Sequence, residues 1–296
     1  MPSTDRQELQ TLRDLIRYAV SRFHESHIAL GHGSDNAWDE AVYLVLHGLH
    51  LLPDSLDPFL DARVLSQERD RVLTLIDRRV AERVPAAYLT HEAWLRGHRF
   101  YVDQRVIVPR SPIAELLDQG LAPWVAEPES VGRALDMCTG SGCLAILAAL
   151  AFPYAEVDAV DISPDALDVA QRNVDEYRLQ DRLRLHRSNL FDDLPAAAYD
   201  VIVCNPPYVN SQSMSELPAE YRAEPALALA GGADGMDLVR RILQAAPRYL
   251  SPQGVLVLEI GHERDHFEAA FPELEPIWLD TEDASDQILL LTREQL

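Results

Sequence analysis

Apolar positions recur at helical spacing through the first part of the chain. Leu9, Leu12, Leu15, Ile16, Ala19, Val20 and Phe23 fall on one stripe, with Thr4 and Gln7 placed as a capping box before it. A second helix is predicted from Asn36 to Leu51, bounded by Gly31, Gly33 and Pro53. A short third opens at Asp57-Pro58, and a fourth runs from Ser66 to about Val84, where Pro85 stops it. Between Tyr88 and Val108 the pattern changes to β-like runs, YLTHEAWL and HRFYVDQRVIV, split by Arg96 and Gly97, and a hairpin is the simplest reading. Pro112 then opens a helix through Leu117, with Glu115 in its first turn.

Strand and helix alternate from there on. Strands are expected at Arg133 to Asp136, Ala155 to Asp161, Arg182 to His186, Tyr199 to Cys204 and Val255 to Ile260. The helices between them are Cys143 to Leu150, Ala166 to Tyr177 and Gly235 to Ala246, with another near Arg264 to Ala270. Such alternation predicts an α/β fold with a doubly wound, mostly parallel sheet and right-handed crossovers. The tail, Ile277 to Asp280 and Gln287 to Thr292, reads as a terminal hairpin that adds an antiparallel strand. The chain thus divides into a helical domain at residues 1–85, a hairpin linker at 86–112 and an α/β domain at 113–296.

The stretch VIVCNPPY, Val201 to Tyr208, organises the α/β part. Four apolar residues form a strand buried on both faces, and the two prolines end it abruptly because proline cannot donate to a ladder. The strand therefore carries an asparagine amide, a stiff backbone corner and an aromatic ring to its carboxyl end, where open α/β sheets bind ligands. Such a platform suits an NH2 group on a flat π system, an amide or a nucleobase amine.

Composition narrows the field. In a chain of 296 residues, 26 basic residues stand against 48 acidic ones, net −22, and every basic residue is arginine. That surface repels a phosphate backbone, so direct DNA binding is not expected, whereas a basic protein would be attracted. No apolar run reaches membrane-spanning length and the amino terminus lacks signal-peptide features, so a soluble cytoplasmic protein is expected. Three cysteines, Cys138, Cys143 and Cys204, and ten scattered histidines show no metal-ligand spacing, so no metal is expected.

The first strand of the α/β part ends in Asp136-Met137-Cys138-Thr139-Gly140-Ser141-Gly142. Glycines at such a turn let the backbone approach a ligand, and amides of the following helix favour negative charge. About twenty residues on, the second strand ends at Asp161, whose carboxylate suits two ribose hydroxyls. Together they read as an adenosine site. Gly140, Gly142 and Ala145 also satisfy the dinucleotide pattern G-x-G-x-x-A, which makes a nicotinamide dehydrogenase the rival. Asp136 would face a pyrophosphate unfavourably but could hold a cationic amino-acid group, and NPPY is not a hydride-transfer pair.

DMCTGSGCLAI, AVDIS and NPPY together resemble the class I S-adenosylmethionine-dependent methyltransferases. Within them the chain is similar to the branch that methylates the side-chain amide nitrogen, N5, of glutamine in translation proteins. Of that branch's two enzymes, one acts on peptide-chain release factors and one on a large-subunit ribosomal protein, the third in that subunit's naming. VPRSPIAEL, EYRAEP, GGADG, DLIRYAVSRF and AWDEAVYLVLHGLHLLP resemble the ribosomal-protein enzyme. The resemblance implies S-adenosyl-L-methionine as cofactor, leaving S-adenosyl-L-homocysteine. It assigns Asp136 and the loop of Thr139, Gly140, Ser141 and Gly142 to the methionine part, Asp161 to the ribose and Asn189 to the adenine edge, with Cys138, Ile162 and Leu190 also on the cofactor. Asn189 departs from the acid usual there. Asn205 also adjoins the cofactor, and Asn205, Pro206 and Tyr208 are the implied catalytic residues. Pro207 and Arg110 join them on the substrate, a basic ribosomal protein met free or in a ribosome precursor; residues 1–85 are expected to recognise it, because the α/β domain alone has no obvious surface insertion for choosing a substrate. Competing readings are the release-factor enzyme, an adenine-amino nucleic-acid methyltransferase and a non-catalytic ribosome assembly factor.

Overall fold

A computed structural model describes residues 6–282 and 284–296. Two compact units are present: residues up to Ala93 together with Pro218–Ala223, and Trp94–Leu217 together with Glu224–Leu296.

The first unit is helical. α1 (Leu12–Glu25), α2 (Ala37–Gly48), α3 (Ser66–Glu82) and the short α4 (Ala86–Thr90) enclose a core built from Leu15, Ile16, Phe23, Leu44, Leu73 and Ile76, all essentially inaccessible. Thr4 lies outside the described residues. The cap of α1 is Thr11, whose side chain accepts from the Asp14 amide while Asp14 accepts from the Thr11 amide. Arg83, in left-handed conformation, ends α3. Buried inside this unit is an ionic cluster the apolar pattern does not disclose. Arg79 is fully buried and donates to Glu40 at 2.7 Å and to Glu220 at 3.3 Å, and Glu220 also accepts from the Ala29 amide. Segment 218–223 is thereby held within the helical unit although the flanking chain belongs to the other.

The expected hairpin is shorter than its β-like composition suggests: β1 (Ala93–Leu95) and β2 (His98–Phe100) form a two-stranded sheet, and Tyr88 lies in α4. Residues 101–112 form no regular element, and α5 (Ile113–Asp118) follows.

The second unit is an α/β sandwich. Its elements in order are β3 (Arg133–Met137), α6 (Cys143–Ala151), β4 (Glu156–Asp161), α7 (Pro164–Tyr177), β5 (Leu183–Arg187), β6 (Tyr199–Cys204), α8 (Ser211–Glu216), α9 (Asp237–Ala245), β7 (Leu250–Glu259), α10 (Arg264–Ala270), β8 (Ile277–Leu279) and β9 (Ile288–Thr292). The seven strands run β5-β4-β3-β6-β7-β9-β8, parallel from β5 to β7, with β9 antiparallel to both its neighbours. Strand periodicity sorts the core onto two faces: Ala134, Val201, Val203 and Val257 pack with α6, while Leu135, Met137, Ile202, Cys204 and Leu258 pack with α9 and α10. Strand order reverses between β3 and β6, which opens a crevice beyond their carboxyl ends.

Among the described residues no helix is long and apolar enough to cross a membrane, and no group of histidine, cysteine or acidic side chains is placed to hold a metal ion.

Candidate active site

The crevice at the switch point is an open cleft of about 830 Å³, counting the solvent in its mouth. It is lined by Met137, Cys138 and Gly140 at the end of β3, by Asp161 to Ser163 at the end of β4, by Ser188 to Leu190 after β5, and by Asn205 and Pro207 after β6. Arg105 to Ile107, Pro225, Leu227, Ala228 and Leu238 complete the wall.

The loop after β3 is wound tightly. Cys138, Gly140 and Gly142 all have positive φ (64°, 53° and 80°), and Gly142 caps α6. A Cβ on Gly142 would sit 3.2 Å from the Ala170 Cβ of α7, so that glycine lets loop and helix touch. Asn173, fully buried on α7, braces the same loop by donating to the Ser141 carbonyl at 2.8 Å while bonding both backbone groups of Tyr101.

Asp136 has one oxygen satisfied, accepting from Thr139 Oγ1 at 2.5 Å and the Ala145 amide at 2.9 Å. Its other oxygen is buried with no hydrogen-bond partner among the described residues, and burial pushes the carboxyl up to about 7. A buried carboxylate oxygen of this kind fits a cation such as the α-ammonium of a methionine moiety. Asp161 accepts from the Gly140 and Ser163 amides, both at 2.9 Å, and burial raises it too. These bonds tie the ends of β3 and β4 together and leave further lone pairs for ribose hydroxyls. Asn189 accepts from Arg241 at 3.0 Å. Because arginine only donates, this places the asparagine oxygen on Arg241 and leaves its NH2 as a donor on the cleft wall.

The NPPY corner is held from behind. Pro206 and Pro207 are buried, while Asn205 is half-buried with no side-chain hydrogen bond to the described residues. Beside the corner, the Val209 amide donates to the Leu229 carbonyl and the Gly231 amide to the Val209 carbonyl. A Cβ on Gly231 would lie 2.7 Å from the Tyr208 Cα, and one on Gly235 would lie 2.2 Å from the Tyr208 carbonyl oxygen. GGADG is therefore a pressing surface for Tyr208.

Of the sequence-predicted residues, the cleft gathers Cys138, Gly140, Asp161, Ile162, Asn189, Leu190, Asn205 and Pro207. Asp136, Thr139, Ser141 and Gly142 build the loop beneath it, and Pro206 and Tyr208 the corner beside it. Arg110 has its fork on Glu224 at 2.6 and 2.7 Å, Glu224 also accepts from the Val108 amide, and the Arg110 charge acts on Tyr208 and Glu259 beside the corner. Sequence reading missed Asn173 as a loop brace and Glu259 as the partner of the Tyr208 hydroxyl at 2.9 Å. The signal for Glu259 was an acid directly after VLVL, where a buried strand has no ordinary use for one.

Comparison with known proteins accords with this geometry. A model of the methyltransferase small domain matches residues 116–221. The ribosomal protein uL3 glutamine methyltransferase of Bordetella pertussis is 81% identical over 296 residues, covering 100% of this chain and 99% of the relative. The Burkholderia pseudomallei protein of that name is 62% identical, covering 97% and 96%, and the one from Neisseria meningitidis serogroup A is 56% identical, covering 98% and 95%. The hMettl16 catalytic domain, 14% identical, superposes with a TM-score of 0.52 over 78% of this chain and 84% of its own, a likeness of fold. This chain belongs to the ribosomal protein uL3 glutamine methyltransferase family, S-adenosylmethionine-dependent enzymes built on the class I methyltransferase fold.

Proposed function

We propose that this protein transfers a methyl group from S-adenosyl-L-methionine to the N5 amide nitrogen of a glutamine in ribosomal protein uL3, with Asn205 to Tyr208 holding that glutamine. The full-length identity to uL3 enzymes supports the substrate. The observation that carries the mechanism is the Asn205 carboxamide, which lines the cleft just after β6 with no side-chain hydrogen bond among the described residues.

The cofactor supplies an electrophilic sulfonium methyl. Asp136, the loop Cys138 to Gly142, Asp161 with Ile162, and Asn189 with Leu190 bind its methionine, ribose and adenine parts in turn. An amide nitrogen is a poor nucleophile because its lone pair is delocalised into the carbonyl. The Asn205 oxygen and the Pro206 carbonyl each accept one N–H of the glutamine amide, which fixes both protons and points the nitrogen lone pair at the methyl. The same two dipoles stabilise positive charge as it grows on nitrogen, and the Tyr208 ring packs on the amide plane. Orientation of this kind is worth on the order of 7–11 kcal/mol in favourable cases, so no general base is needed before transfer. The N–C bond would form as the methyl–sulfur bond breaks with its electron pair kept by sulfur, and the alkylated nitrogen, now strongly acidic, then gives one N–H proton to water.

Residues 1–85 act as the substrate-recognition domain, 86–112 as the linker and 113–296 as the methyltransferase domain. The enzyme works in the cytoplasm, on uL3 free or in a ribosome precursor. Arg110 serves the substrate through Glu224, by fixing the segment that re-enters the cleft wall at Pro225 and Leu227.

The test is a division of labour. Asn205→Ala is expected to lower kcat at least about tenfold while calorimetric cofactor affinity stays near wild type, since a transition-state hydrogen bond is worth about 2 kcal/mol or more. Asp161→Ala is expected to weaken cofactor binding first. Equal losses of cofactor affinity in both variants would contradict the assignment.

A further inference from the structure

The last residue of β7, Glu259, is a carboxylate buried to 4% exposure at the end of an apolar run. A lone buried charge there would be costly, and it is offset by two hydroxyl donors. Tyr208 Oη donates to one oxygen at 2.9 Å, and Ser111 Oγ donates to the other. Burial raises this carboxyl, and the two hydroxyls together with Arg110 oppose the rise. Two residues further on, Gly261 has φ +54°, and a Cβ there would lie 2.5 Å from Tyr208 Cε2. Glycine lets the Tyr208 ring lie against the chain at that point, while Glu259 fixes its hydroxyl. Segments far apart in sequence, 111, 208 and 259–261, thus converge on one aromatic ring at the methyl-transfer corner.

We infer that Glu259 is a positioning residue for methyl transfer, locking Tyr208 of the NPPY corner, with Gly261 and Ser111, in the orientation that receives the substrate amide. A half-buried tyrosine otherwise samples other rotamers and must be ordered each time the amide arrives. Donation to a carboxylate also leaves electron density on the phenol oxygen and ring, which favours the ring face against the nitrogen as it gains positive charge. This rests on the proposed seating of the glutamine beside Tyr208.

Glu259→Gln, Tyr208→Phe and the double variant of the full chain decide it, with steady-state methylation of purified uL3 and cofactor calorimetry as readouts. Each single change is expected to lower kcat about tenfold, the worth of one hydrogen bond to a charged group. Cofactor Kd is expected to stay within about twofold, and the double variant to fall well short of the product of the two losses, because both changes break one link. Wild-type kcat in Glu259→Gln, or multiplicative losses in the double variant, overturns the inference. If Glu259→Gln fails to bind cofactor because it does not fold, Ser111→Ala with Tyr208→Phe gives the same decision: sub-multiplicative losses support the link and multiplicative ones refute it. Should Asn205→Ala and Tyr208→Phe both keep wild-type kcat, the seating of the glutamine is what fails. Should they lose activity while Glu259→Gln does not, only this inference fails.

Discussion

Asp136 has one oxygen bonded to its own loop and the other bare in the interior, and its carboxyl is raised to about 7 by burial. Its folded pKa lies above its unfolded value near 3.9, so the folded protein holds the extra proton in the window between them. The sign follows: Asp136 favours the fold below about pH 4, and that contribution is lost as pH rises towards 7. Asp161 and Glu259 are raised in the same direction, so thermal melts of the cofactor-free protein are to be compared with Asp136→Asn. The variant is expected to lose less stability between pH 4 and 7. Cofactor affinity should run the other way, rising from pH 5.5 to 7 as Asp136 ionises to meet an ammonium that stays protonated throughout. Calorimetry across that range checks it, and an equally steep rise in Asp136→Asn would contradict it. At this scale the sequence disclosed residue type and place on the strand, as with Asp136, Asp161 and Asn205. It did not disclose partners: Arg110 meets Glu224, more than a hundred positions away. Such pairs depend on which strand ends the topology brings together.

At the scale of elements, the alternation of strands and helices was legible because β6 and β7 carry apolar runs and α7 and α9 amphipathic stripes, while β5 alternates apolar with polar residues and α6 is apolar almost throughout. The exceptions have local causes. α4 is too short to show a helical period, and its Tyr88 and Leu89 look like strand residues. β7 begins at Leu250, earlier than expected, because it crosses Ser251-Pro252-Gln253-Gly254, a turn-like sequence absorbed by a register shift opposite Tyr199 and Val201. The 231–235 turn is the element most directly tied to the corner. Gly235 has φ +80° and no room for a side chain against the Tyr208 carbonyl. Gly235→Ala is expected to destabilise the fold by about 1–3 kcal/mol in chemical denaturation and to lower kcat more than cofactor affinity. An unchanged kcat would show that the turn does not set the corner.

Across the whole molecule, a net charge of −22 favours basic partners over acidic ones. If uL3 is drawn in by its basic surface, kcat/KM for uL3 should fall as salt rises from about 50 to about 300 mM, while cofactor Kd moves little. Titrating salt in both assays tests this, and a flat kcat/KM would remove charge from the account. Replacing residues 1–85 with the matching part of a release-factor enzyme should shift the preferred protein substrate, and unchanged preference would remove recognition from the helical unit. The helical unit was legible as helices. Its buried Arg79–Glu40–Glu220 cluster was not, because the third member comes from segment 218–223.

The chemistry of this enzyme is methyl transfer to a glutamine amide of uL3. Its most direct test is to incubate the protein with isotopically labelled S-adenosyl-L-methionine and, in separate reactions, purified uL3, release factor and ribosomal RNA, then locate the label by mass spectrometry. The account predicts one added methyl on a glutamine side chain of uL3, abolished by Asn205→Ala. Label on release factor or RNA in its place, or on a uL3 residue other than glutamine, would contradict it.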